Sequence, residues 1–263
     1  MSRPQIHPTA VVDPGAQFGE DVVVGPHAVI GADVTLGARC VVRPHALLEG
    51  RLVAGEECRF GFSSAIGLDP QVKGATGPWG GVRLGNRVVC REFVQIHGST
   101  DPSGETTVGD DVYLMVGAHV AHDCSLKEHV ILANHVALGG HVVVEERAFL
   151  AGDAMVQQFS RIGTLAMVGG KAGIQRDMPP YCTTSGARPR KLEGLNVVGL
   201  RRAGVPPEIR AELNKAYRKL FRSDLPISER LDAVELTCPE VERLVRFCRS
   251  SERGVIGLNP SRD

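Results

Sequence analysis

The sequence predicts a β-solenoid built from six-residue repeats and followed by a helical C-terminal region. Two observations carry that prediction. Apolar residues recur at every sixth position with the phase held: Ile6, Val12, Phe18, Val24, Ile30, Leu36, Val42, Leu48, Ala54, Phe60 and Ile66, then Leu84, Cys90 and Ile96, then every sixth residue from Val108 to Ile174. A helix repeats every ~3.6 residues and a strand every two, so a strict six fits one short strand and one corner per repeat. Glycine follows many of these positions, as in Phe18-Gly19, Leu36-Gly37, Phe60-Gly61 and Leu138-Gly139. Glycine takes positive φ without strain, which suits a tight corner.

The first run of hexads ends at an insertion near 68–83, with Asp69-Pro70-Gln71-Val72-Lys73-Gly74 and the only tryptophan, Trp79. A second insertion near 98–107 contains Pro102. Loops on a rigid repeat scaffold are where binding residues concentrate. Val72 keeps the phase inside the first loop, but an insertion whose length is a multiple of six preserves numbering without preserving coils. The repeat stops after Ile174, and Met178-Pro179-Pro180-Tyr181 reads as a turn-rich junction. The hexapeptide domain is therefore assigned to residues 1–187 and a helical domain to 188–263. A helix is expected over Leu192 to Ala203, and a second opened by Pro206-Pro207 with Ile209, Leu213, Tyr217, Leu220 and Phe221 on one face. Two more are expected near 228–236 and 239–250, with a loose tail from Gly254.

Lys+Arg and Asp+Glu balance at 30 each, which argues against a nucleic-acid surface. The seven cysteines show no CxxC pair or metal-like spacing, consistent with a reduced, cytoplasmic protein. Met1 to Ala10 lacks an apolar signal core, and no stretch reaches the ~18 apolar residues of a membrane span.

The chemically suggestive segment is Gly117-Ala118-His119-Val120-Ala121-His122-Asp123-Cys124, followed by Asn134-His135 and Gly139-Gly140-His141. His122-Asp123 sets a base beside a carboxylate able to orient it, and an imidazole with an unperturbed pKa of ~6.5 suits removal of a proton from a hydroxyl. Isolated surface histidines are the bland alternative. A three-histidine zinc site from His119, His122 and His141 meeting across a subunit boundary is another, though nothing in the spacing demands it.

With Ile131-Leu132-Ala133-Asn134, Gln158-Phe159, Met167-Val168-Gly169-Gly170, Pro179-Pro180-Tyr181 and Asn196-Val197-Val198-Gly199-Leu200-Arg201-Arg202 added to that run, the chain resembles, over nearly its whole length, the acyl-carrier-protein-dependent UDP-N-acetylglucosamine O-acyltransferases of lipid A synthesis. The resemblance implies a left-handed parallel β-helix, an exception to the usual right-handed crossover, assembled as a homotrimer with sites between neighbours and no cofactor. It implies transfer of a fatty acyl group, expected to be 3-hydroxylated, from acyl carrier protein to the sugar 3-hydroxyl. His122 would be the general base, Asp123 its orienting partner, and the Gly140 N–H the oxyanion donor. His97, His119 and His141 would line the site, with Gln71 and Lys73 from the first loop. Gln158 would contact substrate or pantetheine, Asn196 and Arg202 the nucleotide end, and Gly170 would leave a long acyl groove.

Several substrate contacts depart from the family pattern. Val72 stands where the family usually has an acid, with Asp69 the candidate substitute, and Lys73 sits one place early. Gln157 replaces a histidine, Val198 replaces a glutamate, and Gly98-Ser99-Thr100 replaces Arg-Gly-Thr. These departures leave open a paralogue acting on another nucleotide sugar, for example by N-acylating a UDP-3-amino sugar. A γ-carbonic-anhydrase-like zinc enzyme and a non-catalytic scaffold are disfavoured by the helical tail and the His-Asp pair. Arg201, Arg202, Lys215, Arg218, Lys219 and Arg222 form a local cationic excess suited to an acidic carrier protein, or else an ordinary solvated helix face.

Overall fold

The computed structural model describes residues 3–186 and 191–258. Short strands, parallel but for the last strand of the first sheet, form three sheets of 11, 9 and 8 strands, and each turn of the solenoid visits all three. The first face begins with Gln5–Ile6 and Val23–Val24, the second with Val11–Val12 and Val29–Ile30, and the third with Gln17–Phe18 and Val34–Leu36. The result is a three-sided parallel β-helix whose inward residues form a single continuous core.

Two residues per hexad point inward, where the period alone exposes one. Behind each Val, Leu or Ile of the repeat, the residue two positions earlier is also buried, and it is often small: Ala28, Cys40, Ala46, Cys58, Ala118, Cys124, Ala148, Ala154 and Ala166 are all 0% exposed. Alternating large and small residues fill the narrow prism in layers. Cys90 occupies the large position, and all seven cysteines are unpaired thiols.

The repeat glycines serve a purpose other than the expected one. Apart from Gly67 (89°), positive φ falls two residues after them, on residues such as Arg39 (59°), Glu57 (59°), Ser63 (52°) and His141 (58°). The glycines are required instead by close approach of the next coil: a Cβ at Gly61 would lie 2.4 Å from the Arg91 carbonyl carbon.

Both insertions leave the solenoid at the same corner, between the second and third faces. One separates the strands Ala65–Leu68 and Gly81–Leu84, the other Gln95–His97 and Glu105–Val108. Ile66 pairs with Ile96 and Ile96 with Val120, spacings of thirty and twenty-four residues, whereas uninterrupted coils pair residues eighteen apart, as Val24 with Val42. The insertions are thus multiples of six, which is why the phase survives them.

After the solenoid, the expected helix from Leu192 is replaced at its start by a strand, Leu192–Leu195, antiparallel to Cys182–Thr184. Strand pairing against the last coil overrides the weak helical spacing there, and Gly194 lowers the helical preference further. Helix α1 spans Val197–Arg202, with the Asn196 side chain accepting from the Gly199 N–H. Helices α2 (Pro207–Phe221), α3 (Ile227–Asp232) and α4 (Pro239–Arg249) follow, and α2 buries Leu213, Tyr217, Leu220 and Phe221 as its pattern requires. The expected domain boundary at 187/188 lies outside the described residues.

The tail is not loose from Gly254. Val255, Ile256 and Leu258 are buried, and the Ile256 N–H donates to the Asp177 carbonyl at 3.0 Å. Asp177, 2% exposed, also accepts from the Arg161 N–H (2.8 Å), Arg161 Nε (3.1 Å) and Ser251 Oγ (2.8 Å), clamping α4 and the tail onto the last coils. Among the described residues no helix is long and apolar enough to cross a membrane.

Candidate active site

Coil stacking brings residues eighteen apart into columns, so the corner that releases the two loops continues upward as His122-Asp123, then Gly140-His141, then Gln158-Phe159. His122 Nδ1 lies 2.8 Å from Asp123 Oδ2. An ionised carboxylate only accepts, so Nδ1 carries the proton and the lone pair sits on Nε2. That nitrogen faces Gly140, where a Cβ would stand 2.6 Å from Nε2 and 2.5 Å from Cε1. The Gly140 N–H has no hydrogen-bond partner among the described residues. His122 and Gln158, at this position of the neighbouring corners, also leave their N–H unspent, whereas Glu56, Asn86 and Thr164 give theirs to side chains.

The second loop wraps the carboxylate. Ser99 Oγ donates to Asp123 Oδ1, while Thr100 donates to Oδ2 through Oγ1 (2.7 Å) and its N–H (3.2 Å). The Asp123 N–H in turn donates to Thr106 Oγ1 at 2.8 Å. Burial alone would raise the Asp123 pKa, but the hydrogen bonds from Ser99, Thr100 and His122 outweigh it and hold it at about 2. Sequence reading missed Ser99 and Thr100 as site residues, treating them only as departures from a pattern.

His141 completes the column. Its Nε2 is 3.5 Å from Asp123 Oδ2, its ring meets His122 edge-on at 5.2 Å, and it stacks on Phe159 at 4.6 Å. His122, Asp123 and His141 are close enough to surround a cation. The carboxylate, however, already accepts four hydrogen bonds, so the set fits a hydrogen-bonded proton relay better than a metal centre. The three-histidine set of His119, His122 and His141 does not form within one chain, because His119 lies on the outer surface of the second face beside Gln95 (3.2 Å) and His97 (ring centroids 5.0 Å). Burial, reinforced by the neighbouring His97, lowers the His119 pKa. His97 is 2% exposed, its Nδ1 is bonded to the Asp69 carbonyl at 2.7 Å, and its Nε2 is buried without a partner.

The remaining predicted residues lie apart from the dyad. Gln71 and Lys73 are exposed on the first loop, with Val72 beside them. Gln158 is exposed above Gly140. Gly170 sits at the opposite edge of the second face, and a Cβ there would meet nothing closer than the Gly152 carbonyl at 3.3 Å. Between the two edges the outward residues of that face above His119 are Ala137, Met155 and Gly173, with Met155 60% exposed. Arg202 is exposed at the end of α1, while the Asn196 side chain caps that helix and donates to the Leu165 carbonyl at 2.9 Å.

Comparison with known proteins places these features together. Residues 177–256 match the family described as UDP-N-acetylglucosamine O-acyltransferase, domain 2, and residues 3–38 and 15–50 match the bacterial transferase hexapeptide family. The acyl-[acyl-carrier-protein]–UDP-N-acetylglucosamine O-acyltransferase of Syntrophobacter fumaroxidans is 42% identical over 256 residues, covering 96% of this chain and 99% of the relative. The chain belongs to this acyltransferase family. An Anaeromyxobacter enzyme of the same name is 44% identical over 95% of this chain and 98% of its own. Among solved structures, the UDP-N-acetylglucosamine acyltransferase of Bacteroides fragilis superposes with a TM-score of 0.93 at 32% identity, covering 96% of this chain and all of that one. The Arabidopsis enzyme superposes at 0.84 with 34% identity over 95% of this chain and 99% of its own. The solenoid is thus the family's left-handed parallel β-helix with C-terminal helices.

Proposed function

We propose that this chain transfers a 3-hydroxylated fatty acyl group from acyl carrier protein to the 3-hydroxyl of UDP-N-acetylglucosamine, the opening step of lipid A synthesis, as a cytoplasmic enzyme. The observation that carries this is the His122-Asp123 dyad, whose free Nε2 lies against Gly140, a residue with an unspent N–H. His122 Nε2 takes the proton of the sugar hydroxyl, and the oxygen attacks the thioester carbonyl. The Gly140 N–H stabilises the negative charge that develops on the carbonyl oxygen, an effect often worth ~3 kcal/mol. Collapse breaks the C–S bond, and the proton on His122 passes to the departing thiolate. The acyl chain runs along the apolar strip of Ala137, Met155 and Gly173 toward Gly170, where no side chain blocks it.

The enzyme works as a homotrimer. The outward residues of the first face form an apolar column, Val89, Tyr113, Ile131, Phe149 and Met167, that a neighbouring copy covers. Gln71, Lys73 and Arg202 then meet substrate in clefts between copies. Purified protein offered acyl carrier proteins of several chain lengths and UDP-N-acetylglucosamine should yield UDP-3-O-acyl-N-acetylglucosamine by mass spectrometry. Val72 in place of an acid on the sugar-facing loop makes the UDP-3-amino sugar the informative competitor. Product from that sugar alone would replace O-acylation with N-acylation at the same dyad.

A further inference from the structure

We propose that Ser99 and Thr100 are positioning residues that set the pH at which the His122 dyad becomes active, by drawing the negative charge of Asp123 toward the loop and away from the imidazole. The proposal rests on the reading of His122 as the base. Its observations are independent of the carrier protein and the sugar.

Ser99 is 0% exposed, and its Oγ both donates to Asp123 Oδ1 and accepts from the Asp101 N–H at 3.0 Å. The hydroxyl is therefore held in place before any substrate arrives. Thr100 supplies two further donors to the oxygen that also accepts from His122 Nδ1. Every donor on a carboxylate competes for the same charge. One that accepts only from an imidazole stabilises the protonated ring strongly, whereas one already satisfied from the loop does so less. The loop thus takes up charge that Asp123 would otherwise offer to the protonated His122 ring.

The other titratable groups facing Asp123 do not supply this effect. His122 and His141 are the only cationic partners within ion-pair distance among the described residues. The pKa of Asp101, on the loop, is lowered chiefly by hydrogen bonds from Ser103, with Asp123 opposing only as the smallest influence, and the Cys124 thiol behind Asp123 is pushed up to about 12, chiefly by burial. Ser99 stands where the resemblance places a glycine, so its hydroxyl is a feature of this chain, and Ser99→Gly restores the family pattern at little risk to folding.

The test compares Ser99→Gly, Ser99→Ala, Thr100→Val and Thr100→Ser in the full-length protein. With acyl carrier protein saturating, the acid limb of kcat/KM for the sugar should move up by about half to one pH unit when a hydroxyl is removed. Thr100→Ser, which keeps the hydroxyl, should restore the parent limb. A fall in the plateau with the limb unmoved in both Ser99→Ala and Thr100→Val would reduce the loop to a structural support and overturn the proposal. Titration of the His122 Cε1–H by NMR without substrates reads the same shift. If the protein proved to transfer no acyl group, the function would fall while the NMR shift still decided the role of the loop.

Discussion

Gly140→Ala puts the geometry of the dyad to a direct test. The added methyl would stand 2.5 Å from His122 Cε1 and 2.6 Å from Nε2. Non-bonded atoms of these types rest at ~3.5 Å, so the ring must retreat by about 1 Å. Displacement of a reacting atom on that scale costs ~10²-fold in rate, about 2.7 kcal/mol of barrier. Gly140 does not use the left-handed region, so alanine accepts its backbone and keeps the N–H. The methyl meets a side chain and not backbone, so the cost falls on turnover and leaves the melting temperature close to that of the parent. Gly61→Ala is the counterpart: there the methyl meets the Arg91 carbonyl carbon at 2.4 Å, and backbone cannot swing aside. That variant should lose about 2 kcal/mol of stability while each folded molecule keeps its turnover. Release of the carrier-protein thiol gives kcat, and calorimetry gives the melting temperature. Gly140→Ala turning over within about threefold of the parent would refute the placement of Nε2 as the proton acceptor.

Other outcomes follow from the same coordinates. His122→Ala should lower kcat by ~10² to 10⁴-fold with the fold and oligomer intact by circular dichroism and light scattering. Asp177→Ala leaves Arg161 without its carboxylate and should destabilise the attachment of the helices by about 3 kcal/mol, read as a lower melting temperature and faster proteolysis of the C-terminal region. Lys215 and Lys219 already pair with Glu212 and Glu235, which leaves Arg218 the more available of these three cations on α2. Arg218→Glu with Lys219→Glu should still raise KM for the carrier protein and blunt its salt dependence without changing KM for the sugar. Asp123 is held at about 2, below the ~3.9 of an unfolded aspartate. Its contribution to stability is therefore complete above pH ~4 and lost as the pH falls toward 2, and Asp123→Asn should flatten acid unfolding in that window.

The period of six was enough to expose the solenoid, because one large inward side chain per strand is unavoidable when a prism has three faces. The second inward position was hidden by its composition. Alanine, cysteine, valine and serine share it, and small residues carry little periodic signal. The glycines misled in mechanism while marking the right places, since closeness to the next coil and tolerance of positive φ both select glycine and only coordinates separate them. Arg39, Glu57 and His141 adopt left-handed backbone two residues later, where the stacked coils fix the turn despite the side chain. At the C-terminus, local spacing favoured a helix from Leu192 and a loose tail, and contacts distant in sequence decided otherwise. Cys182–Thr184 recruits Leu192–Leu195 as a strand, and Asp177 recruits the tail through Ile256.

The site was legible to different depths for the same reason. His122 and Asp123 are neighbours in the chain, so their pairing can be read directly, and three faces of six residues place Gly140 and Gln158 on the same corner. Ser99 reaches Asp123 across twenty-four residues because the second insertion, in which Ser99 lies, lengthens that coil by one repeat. A loop that keeps the phase conceals how many coils separate two residues, and so conceals which of its side chains will face the dyad. The chemistry therefore divides along the chain. The coils supply the base, its carboxylate and an unspent N–H at positions fixed by the repeat. The insertions, free of the repeat, supply what the repeat cannot vary: Ser99 and Thr100 against the carboxylate, and the Asp69 carbonyl that holds His97. Differences in pH response or acceptor between members of this family should accordingly map to the two insertions before they map to the coils.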